Sequence, residues 1–379
     1  MKRTVVLIVC LAVALTATVV MTSKIGKNVY YYEDRHSQQS SAAEMTLVGG
    51  ISDYDKLVSA LMNMIRFASV SERLTVFDYD GDLMDDLKRA TDYLTQTYPI
   101  GNYAVSSIVY SPHYIASYCE LQVSINYNHT YEEINTITRI LSSEELEERM
   151  TDAIRSFTGK RVFDISGIDV NTDNVTGLFE KCWLQSDVYA YGLIKAEFVF
   201  YPKDASECLL EMVLSYADSK EEMIKAVSLT QDTVNGLTET FSGSDIKEKI
   251  AFTEEYLENN LEPDADSAYF FTEDFVVGKV LQPDTAVGAF SEGRASRVGT
   301  AMAASALLKG LGAENEVVSG ILADGTRALW IYIDDGGEGG SGLFYDPNAV
   351  FGEEDDVKSV FAYGEAESIF SFNKELFGF

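Results

Sequence analysis

A long apolar run near the start of the chain is the first feature of its hydrophobic pattern. Lys2 and Arg3 precede an uncharged run from Val5 to Met21. A basic head followed by an apolar stretch is typical of a secretion signal, and a run of this length is just long enough to span a bilayer. Residues 4–21 are therefore predicted to anchor a single-pass cell-membrane protein whose bulk lies outside the cytoplasm. The alternative is that residues 1–22 are a cleaved signal peptide and the protein is secreted.

The same series of patterns then occurs twice in the middle of the chain. After a polar spacer over 23–52, residues 53–143 show a strand pattern, an Asp-rich turn, a helix, two aromatic-rich strands and an acidic helix start. Residues 144–236 repeat that order. The matched pairs, each 89 residues apart, are Ile65 and Ile154, Cys119 and Cys208, and Tyr127 and Tyr216. The repeat predicts two tandem β-α-β-β-α domains.

The pattern changes again over residues 237–379, which are predicted to form a third domain. The apolar residues Ile246, Ile250 and Leu257 favour an amphipathic helix that ends before Pro263. A helix of small residues is predicted from Val298 to about Leu311. Three strands follow, the last two in TRALWIYIDD and GLFYDPN on either side of the loop GGEGGSG, and a further strand is predicted in the tail. The predicted fold class is α+β.

The charge balance of the chain excludes some classes of partner. Its 379 residues include 60 acidic and 29 basic side chains, which gives a formal net charge of −31. A nucleic-acid-binding surface needs clustered Lys and Arg to neutralise phosphates, and anionic lipid head groups need the same. We therefore expect no nucleic-acid partner, and contact with the membrane only through the N-terminal segment.

The cysteines and histidines are few and lie early in the chain. If Cys10 lies in the membrane segment, then Cys119, Cys182 and Cys208 remain outside. A disulfide between Cys182 and Cys208 and three buried thiols are both compatible with an extracytoplasmic location. The three histidines all lie at or before His129.

The Asp-rich turns of the two repeats resemble metal loops in their spacing. Asp169, Asn171, Asp173 and Glu180 follow the order of a calcium-binding loop, but Asn174 stands where that loop needs glycine. Helix capping by Asp and Asn explains this turn, and it explains the matching turn of the first copy equally well. That matching turn contains Asp78, Asp80 and Asp82. We therefore expect capping here, with neither metal nor cofactor.

The C-terminal third contains an ordered set of short motifs over roughly 240–350. They are Val287-Gly288-Ala289-Phe290, Glu292-Gly293-Arg294, Gly299, Ala301, KGLGAENEVVSG and FYDPN. In this order they resemble the transglutaminase-like superfamily of papain-type folds, as found in secreted bacterial proteins. The resemblance needs no gap around the start of the small-residue helix.

The resemblance implies a Cys-His-Asp triad whose first two members are missing. In that family a Cys opens the central helix, a His lies on the next strand and an Asp follows on a third. Here those positions hold Arg297, Arg327 and Asp346. A guanidinium stays protonated and only donates hydrogen bonds, so it is neither a nucleophile nor a general base. A shifted alignment would place Ser296 at the nucleophile position, but no histidine follows residue 129 to serve as its base.

The chain is therefore predicted to be a non-catalytic member that binds or scaffolds at the cell surface. Arg297, Arg327, Asp346 and Glu292 are the candidate binding residues. They are expected to form a salt-bridge cluster that fills the former cleft, or an anion pocket for a carboxylate of a peptide or cell-wall glycan. The remaining alternative is that these side chains are only scattered over the surface. The competing hypothesis is a hydrolase or acyl transferase that uses Ser296 or a carboxylate pair in the same cleft.

Overall fold

The computed structural model describes residues 50–168, 170, 172–203, 205–264, 282–334, 342–352 and 358–377. The predicted anchor, most of the spacer and all of the GGEGGSG loop except Gly342 lie outside these ranges. Within them, no helix combines the length and the apolarity needed to cross a bilayer. Helices and strands are both abundant, so the α+β fold class is confirmed.

The chain forms two compact units that are interleaved in sequence. The first contains residues 50–64, 69–91 and 107–126. The second contains residues 65–68, 92–106 and the described residues from 127 onward.

The first unit is built around a three-stranded sheet. Its helices and strands, some of which begin or end in residues of the second unit, are α1 (Tyr54–Arg66), β1 (Ser71–Val76), α2 (Leu83–Gln96), β2 (Val105–Ile115) and β3 (Tyr118–Tyr127). The short helix α3 (Pro99–Ala104), between α2 and β2, belongs to the second unit. The strand order is β1-β3-β2, and β1 runs antiparallel to β3 with Val76 opposite Cys119. Leu57 and Leu61 of α1, Leu87 of α2 and Leu121 of β3 are completely buried.

The second unit begins with a four-stranded sheet in the order β4-β5-β7-β6. Its elements up to the end of the second repeat are α4 (Tyr131–Asn135), β4 (Thr138–Arg139), α5 (Ser143–Arg155), β5 (Lys160–Asp164), α6 (Thr172–Leu184), a 3₁₀ turn (Asp187–Ala190), β6 (Leu193–Tyr201), β7 (Leu209–Tyr216) and α7 (Lys220–Thr238). Ser219 caps α7 by accepting a hydrogen bond from the backbone N–H of Glu222, and the Glu222 side chain bonds back to the backbone of Ser219.

The C-terminal third of the second unit places a central helix against a five-stranded sheet. Its elements are α8 (Ile246–Asn260), β8 (Glu262–Pro263), a 3₁₀ turn (Gln282–Asp284), α9 (Ala286–Glu292), β9 (Arg294–Ala295), α10 (Arg297–Gly310), β10 (Asn315–Leu322), β11 (Arg327–Ile333), β12 (Leu343–Tyr345), a 3₁₀ turn (Pro347–Phe351), β13 (Val360–Ala362), α11 (Tyr363–Ala366), β14 (Phe370–Phe372) and α12 (Lys374–Phe377). The sheet order is β13-β12-β11-β10-β14, and all its pairs are antiparallel.

Helix α10 is buried on every side, which explains its small residues. Every residue from Val298 to Leu308 is buried, so neighbouring chain segments must approach the helix axis closely. A Cβ atom at Gly299 would lie 2.0 Å from the carbonyl oxygen of Pro283. Glycine is therefore required at the first turn of this helix.

One hydrophobic core extends through the second unit. Trp183 and Met212, from the second predicted repeat, belong to the same buried cluster as Met302 of α10 and Ile331 of β11. The opposite face of the five-stranded sheet carries a smaller aromatic cluster that includes Trp330. Packing thus joins residues on both sides of position 236. The predicted domain boundaries near 143 and 236 rest on the sequence repeat alone, and they stay a prediction.

Several of the predicted helices and strands correspond to elements of the structure. The predicted C-terminal helices correspond to α8 and α10, and the two predicted strands correspond to β11 and β12. The elements that begin at 54, 71, 83 and 131 recur at 143, 160, 172 and 220, each 89 residues later. The structure adds a helix, α1 or α5, before the first strand of each copy. The division into two tandem domains stays a prediction.

Candidate functional site

Ser296 lies immediately before α10 and caps it. Its side-chain oxygen accepts a hydrogen bond from the backbone N–H of Gly299 at 3.3 Å, and its own N–H donates to the carbonyl of Pro283 at 2.9 Å. The residue is only 3% exposed. A serine before a helix supplies an acceptor for a free amide of the first turn, so the hydroxyl already has a structural function.

Arg297 is the first residue of α10, and its side chain is exposed. A cation here opposes the helix dipole. Its backbone carbonyl accepts a hydrogen bond from the side-chain amide of Asn348 at 3.3 Å. This contact ties the start of the helix to the 3₁₀ turn that follows β12.

Asp346 directly follows β12 and caps the 3₁₀ turn Pro347–Phe351. Its carboxylate accepts a hydrogen bond from the backbone N–H of Asn348 at 3.0 Å. Burial raises the pKa of the Asp346 carboxyl above its usual value, while the Asn348 N–H, the indole of Trp330 and the positive charge of Arg297 act in the opposite direction. Asp346 and Arg297 are therefore close enough to interact electrostatically.

Arg327, at the start of β11, is paired with a different carboxylate. Its guanidinium forms a hydrogen-bonded ion pair with Glu180 of α6. Glu180 is only 8% exposed. Burial raises the pKa of its carboxyl, and Arg327 and the side chain of Ser319 partly offset that rise.

Glu292 is the last residue of α9 and is exposed. Gly293 ends that helix in the left-handed conformation, with φ of 64°. Burial raises the pKa of Tyr191, and the negative charge of Glu292 adds a smaller contribution in the same direction. The Tyr191 hydroxyl donates to Asp218 at 3.2 Å.

The four predicted site residues thus have different surroundings. The structure brings Arg297 and Asp346 together, whereas Arg327 is paired with Glu180 and Glu292 acts on Tyr191. That these four residues bind a ligand stays a prediction.

The three cysteines among the described residues are free thiols. Cys119, Cys182 and Cys208 are buried, which agrees with the buried-thiol alternative rather than with a disulfide between Cys182 and Cys208. Burial raises the pKa of Cys182 to about 12. Because the thiolate is the reactive form, these surroundings do not favour nucleophilic chemistry at Cys182.

The Asp-rich turn of the first copy acts as a helix cap. Asp82 accepts hydrogen bonds from the backbone N–H groups of Met84 and Asp85 at 2.9 and 3.2 Å, as predicted for this turn. In the second copy Asp169 and Asn171 lie outside the described residues, and the carboxylate of Glu180 is paired with Arg327. Among the described side chains, no cluster of three or more His, Cys, Asp or Glu is arranged to hold a metal ion.

A polar network around the C-terminal half of α10 was not anticipated from the sequence. Lys309 forms an ion pair at 2.8 Å with Asp187, in the 3₁₀ turn of the second repeat. The Ser305 hydroxyl lies 3.0 Å from Asp187 Oδ1 and 2.7 Å from Asn315 Oδ1. The i,i+4 spacing of Ser305 and Lys309 was the available signal, but their partner lies more than 100 residues earlier.

Solved structures similar to this chain include a TGase and a putative cysteine protease. No family model and no curated protein matches the chain. A crystal structure of a TGase aligns with 14% identity and a TM-score of 0.29, covering 59% of this chain and 62% of that chain. A putative cysteine protease from Cytophaga hutchinsonii aligns with 13% identity and a TM-score of 0.23, covering 47% of this chain and 71% of that one. The chain therefore spans less than two thirds of the length of the TGase.

Proposed function

We propose that this protein is a non-catalytic binding or scaffolding protein at the cell surface, anchored through residues 4–21. Its C-terminal part is of the transglutaminase-like type, with arginines at two of the three triad positions. The observation that carries the proposal is the absence of a free nucleophile at the two residues that form the α10 N-terminus, Ser296 and Arg297. There the buried hydroxyl of Ser296 caps the helix, and the next side chain is the cation Arg297.

Acyl-transfer chemistry needs a nucleophile and a base within hydrogen-bond reach of it. The Ser296 hydroxyl interacts with the Gly299 amide, which cannot accept a proton. Arg297 stays protonated, and no histidine follows residue 129. These features support a binding role rather than the alternative of a hydrolase or acyl transferase.

The surroundings of the two arginines support different roles for them. Arg327 already neutralises the buried Glu180, which favours a structural salt bridge. Arg297 is exposed and lies beside the partly buried Asp346. Of the two, Arg297 is therefore the cation that a carboxylate of an external peptide or cell-wall polymer could reach. The ligand class itself is inferred from the sequence resemblance alone.

The proposal is tested on the full chain in detergent micelles. Wild-type protein is incubated with a fluorophosphonate probe and, separately, with insoluble cell-wall polymer and acidic peptides in a pull-down assay. We expect no labelling of Ser296, and binding that weakens several-fold in Arg297→Gln. Arg294→Gln is the matched control, because Arg294 is also exposed but forms an ion pair with Asp264 at 2.9 Å.

Stoichiometric labelling that disappears in Ser296→Ala would establish the competing enzyme hypothesis. Binding that is unchanged in Arg297→Gln, or equally reduced in Arg294→Gln, would contradict the role assigned to Arg297.

A further inference from the structure

The first unit contains an open groove lined by tyrosines, here called the tyrosine groove. It has a volume of about 580 Å³ and lies between the loop that joins β1 to α2 and the hairpin that joins β2 to β3. The lining residues that matter for its chemistry are Asp78, Tyr79, Asp82, Tyr114, Ile115 and Tyr118. The groove shares no lining residue with the site of the proposed function at the start of α10.

Two of the three tyrosine rings are held in place by neighbours. The Tyr79 hydroxyl donates to Asp86 at 2.8 Å, and Asp86 also forms an ion pair with Arg89. The Tyr118 ring contacts the ring of Phe77, with 5.6 Å between centroids. Rings fixed in this way lose little entropy when a ligand binds against them.

The third ring is conspicuously exposed. Tyr114 is 71% exposed and the adjacent Ile115 is 45% exposed, although both are large and apolar enough to favour burial. Exposed apolar surface around a groove is typical of an interaction site.

The groove is acidic. Asp78 and Asp82 line it, and none of its lining residues is Lys, Arg or His. Asp80, on the same loop, is also exposed. A cation bound there would contact carboxylates and the faces of tyrosine rings together, and both interactions favour positive charge.

The matching positions of the second sequence repeat hold different side chains. Residues 89 positions after Tyr79, Tyr114 and Tyr118 are Ile168, Lys203 and Glu207. The buried Cys119, in contrast, is matched by Cys208. The core position is thus the same in both copies, while all three aromatic rings occur only in the first.

Asp78 supports the same conclusion. Its backbone lies in the left-handed region, with φ of 41°, a conformation that disfavours residues other than glycine. The matching residue of the second copy is Gly167, with φ of 100°. The first copy therefore keeps a carboxylate where a glycine would be less strained.

We propose that the tyrosine groove binds an extended basic segment of a partner protein, with Lys or Arg side chains placed against the tyrosine rings and Asp78. Charge complementarity selects this occupant, because the groove is acidic and lacks basic lining residues. A second copy of this chain fits poorly, since each copy carries a net charge of −31.

The test measures binding of a fluorescent oligo-arginine peptide to the full chain by anisotropy. Tyr114→Ala should weaken binding about five-fold, as expected for the loss of one cation–π contact. Asp78→Gly should also weaken binding, while raising the melting temperature because it relieves the left-handed backbone. Asp78→Gly would then make the protein more stable but a weaker binder. Damage to the fold would lower both stability and affinity, so the two explanations are distinguished.

Matched controls distinguish the groove from general attraction to an acidic protein. Tyr131→Ala removes a tyrosine that is 45% exposed on α4, and Asp232→Asn removes an exposed charge on α7. Both should leave the affinity unchanged. Equal losses in the groove variants and the controls would overturn the proposal. A second outcome would also overturn it. If Tyr114→Ala weakens binding of a neutral N-acetylglucosamine oligomer but does not change binding of oligo-arginine, the groove is a sugar site.

Discussion

The guanidinium of Arg327 is bonded to the buried carboxylate of Glu180, which lies 147 residues earlier in the chain. The pair connects α6, in the second sequence repeat, to β11 of the five-stranded sheet. Removing one member of such a pair leaves the other as an uncompensated buried charge, which costs more than the pair itself contributes.

Arg327→Met should lower the free energy of unfolding by about 2 kcal/mol, less than for a completely buried pair because Arg327 is partly exposed. Burial already raises the pKa of Glu180, and losing Arg327 should raise it further. A raised pKa in the folded state favours folding at low pH, and that contribution is lost as the pH rises through the folded-state pKa. The penalty should therefore be larger at pH 8 than at pH 5.

Urea unfolding followed by tryptophan fluorescence measures this effect, because Trp183 and Trp330 both lie in the second unit. Lys358→Met is the control, since it removes one member of a half-exposed pair with Glu365. It should change stability by less than about 0.5 kcal/mol. A penalty for Arg327→Met that is the same at both pH values would contradict the assignment to Glu180.

Ser296→Ala should cost about 1 kcal/mol of stability through the loss of the helix cap. Ser142→Ala is the matched comparison, because Ser142 caps α5 by accepting a hydrogen bond from the Glu145 N–H at 3.2 Å. The two variants should lose similar stability in denaturant unfolding. A catalytic Ser296 would reveal itself by a loss of probe labelling that Ser142→Ala does not share.

Arg297→Gln should raise the pKa of Asp346, because the positive charge of Arg297 now lowers it. The measurement is a carbon-13 NMR titration of the Asp346 carboxyl. Arg294→Gln should leave the midpoint unchanged, since the partner of Arg294 is Asp264. If the Asp346 midpoint does not rise in Arg297→Gln, the two side chains are not coupled.

Asp187→Asn should destabilise the second unit by about 1–2 kcal/mol, because it weakens the charge-assisted bonds from Lys309. Asparagine tolerates the left-handed backbone of Asp187, whose φ is 49°, so the substitution isolates the charge. Thermal unfolding at low and high salt measures the effect. Lys309→Met should lose a similar amount, and the double variant should lose less than the sum of both. Additive losses would show that the pair does not interact.

The buried thiols should react only when the protein unfolds. Iodoacetamide should leave Cys119, Cys182 and Cys208 unmodified in native buffer and alkylate all three in urea, because the thiolate is disfavoured at buried sites. Mass spectrometry of tryptic peptides distinguishes the three positions. Alkylation of Cys182 and Cys208 that requires prior reduction would show a disulfide between them.

Local patterns in the sequence predict the elements well, because caps and periodicity act over a few residues. The apolar spacing of Ile246, Ile250 and Leu257 predicts α8, and Asp245 caps it. The helix α1 has the same kind of signal in Leu57, Leu61 and Met64, all buried. It is still missing from the predicted repeat, because that repeat is defined as starting with a strand.

Long-range relationships could not be predicted in the same way. Glu180 fits the local spacing of a calcium loop, but its partner is fixed by the packing of α6 against β10 and the position of Arg327 on β11. The tyrosine groove has a similar origin, because its rings come from a loop and a hairpin separated by about thirty residues in sequence. Only the tertiary fold brings them together.

The core shared across position 236 limits how the chain can be cut. A fragment that begins at 237 would lose the earlier part of the buried cluster that contains Met302 and Ile331, including Trp183 and Met212. Each large apolar side chain left in water forfeits about 1.5–3 kcal/mol, so a few such losses equal the whole stability of an ordinary domain. The isolated C-terminal third should therefore aggregate or stay molten, and only a fragment that keeps the second repeat should fold.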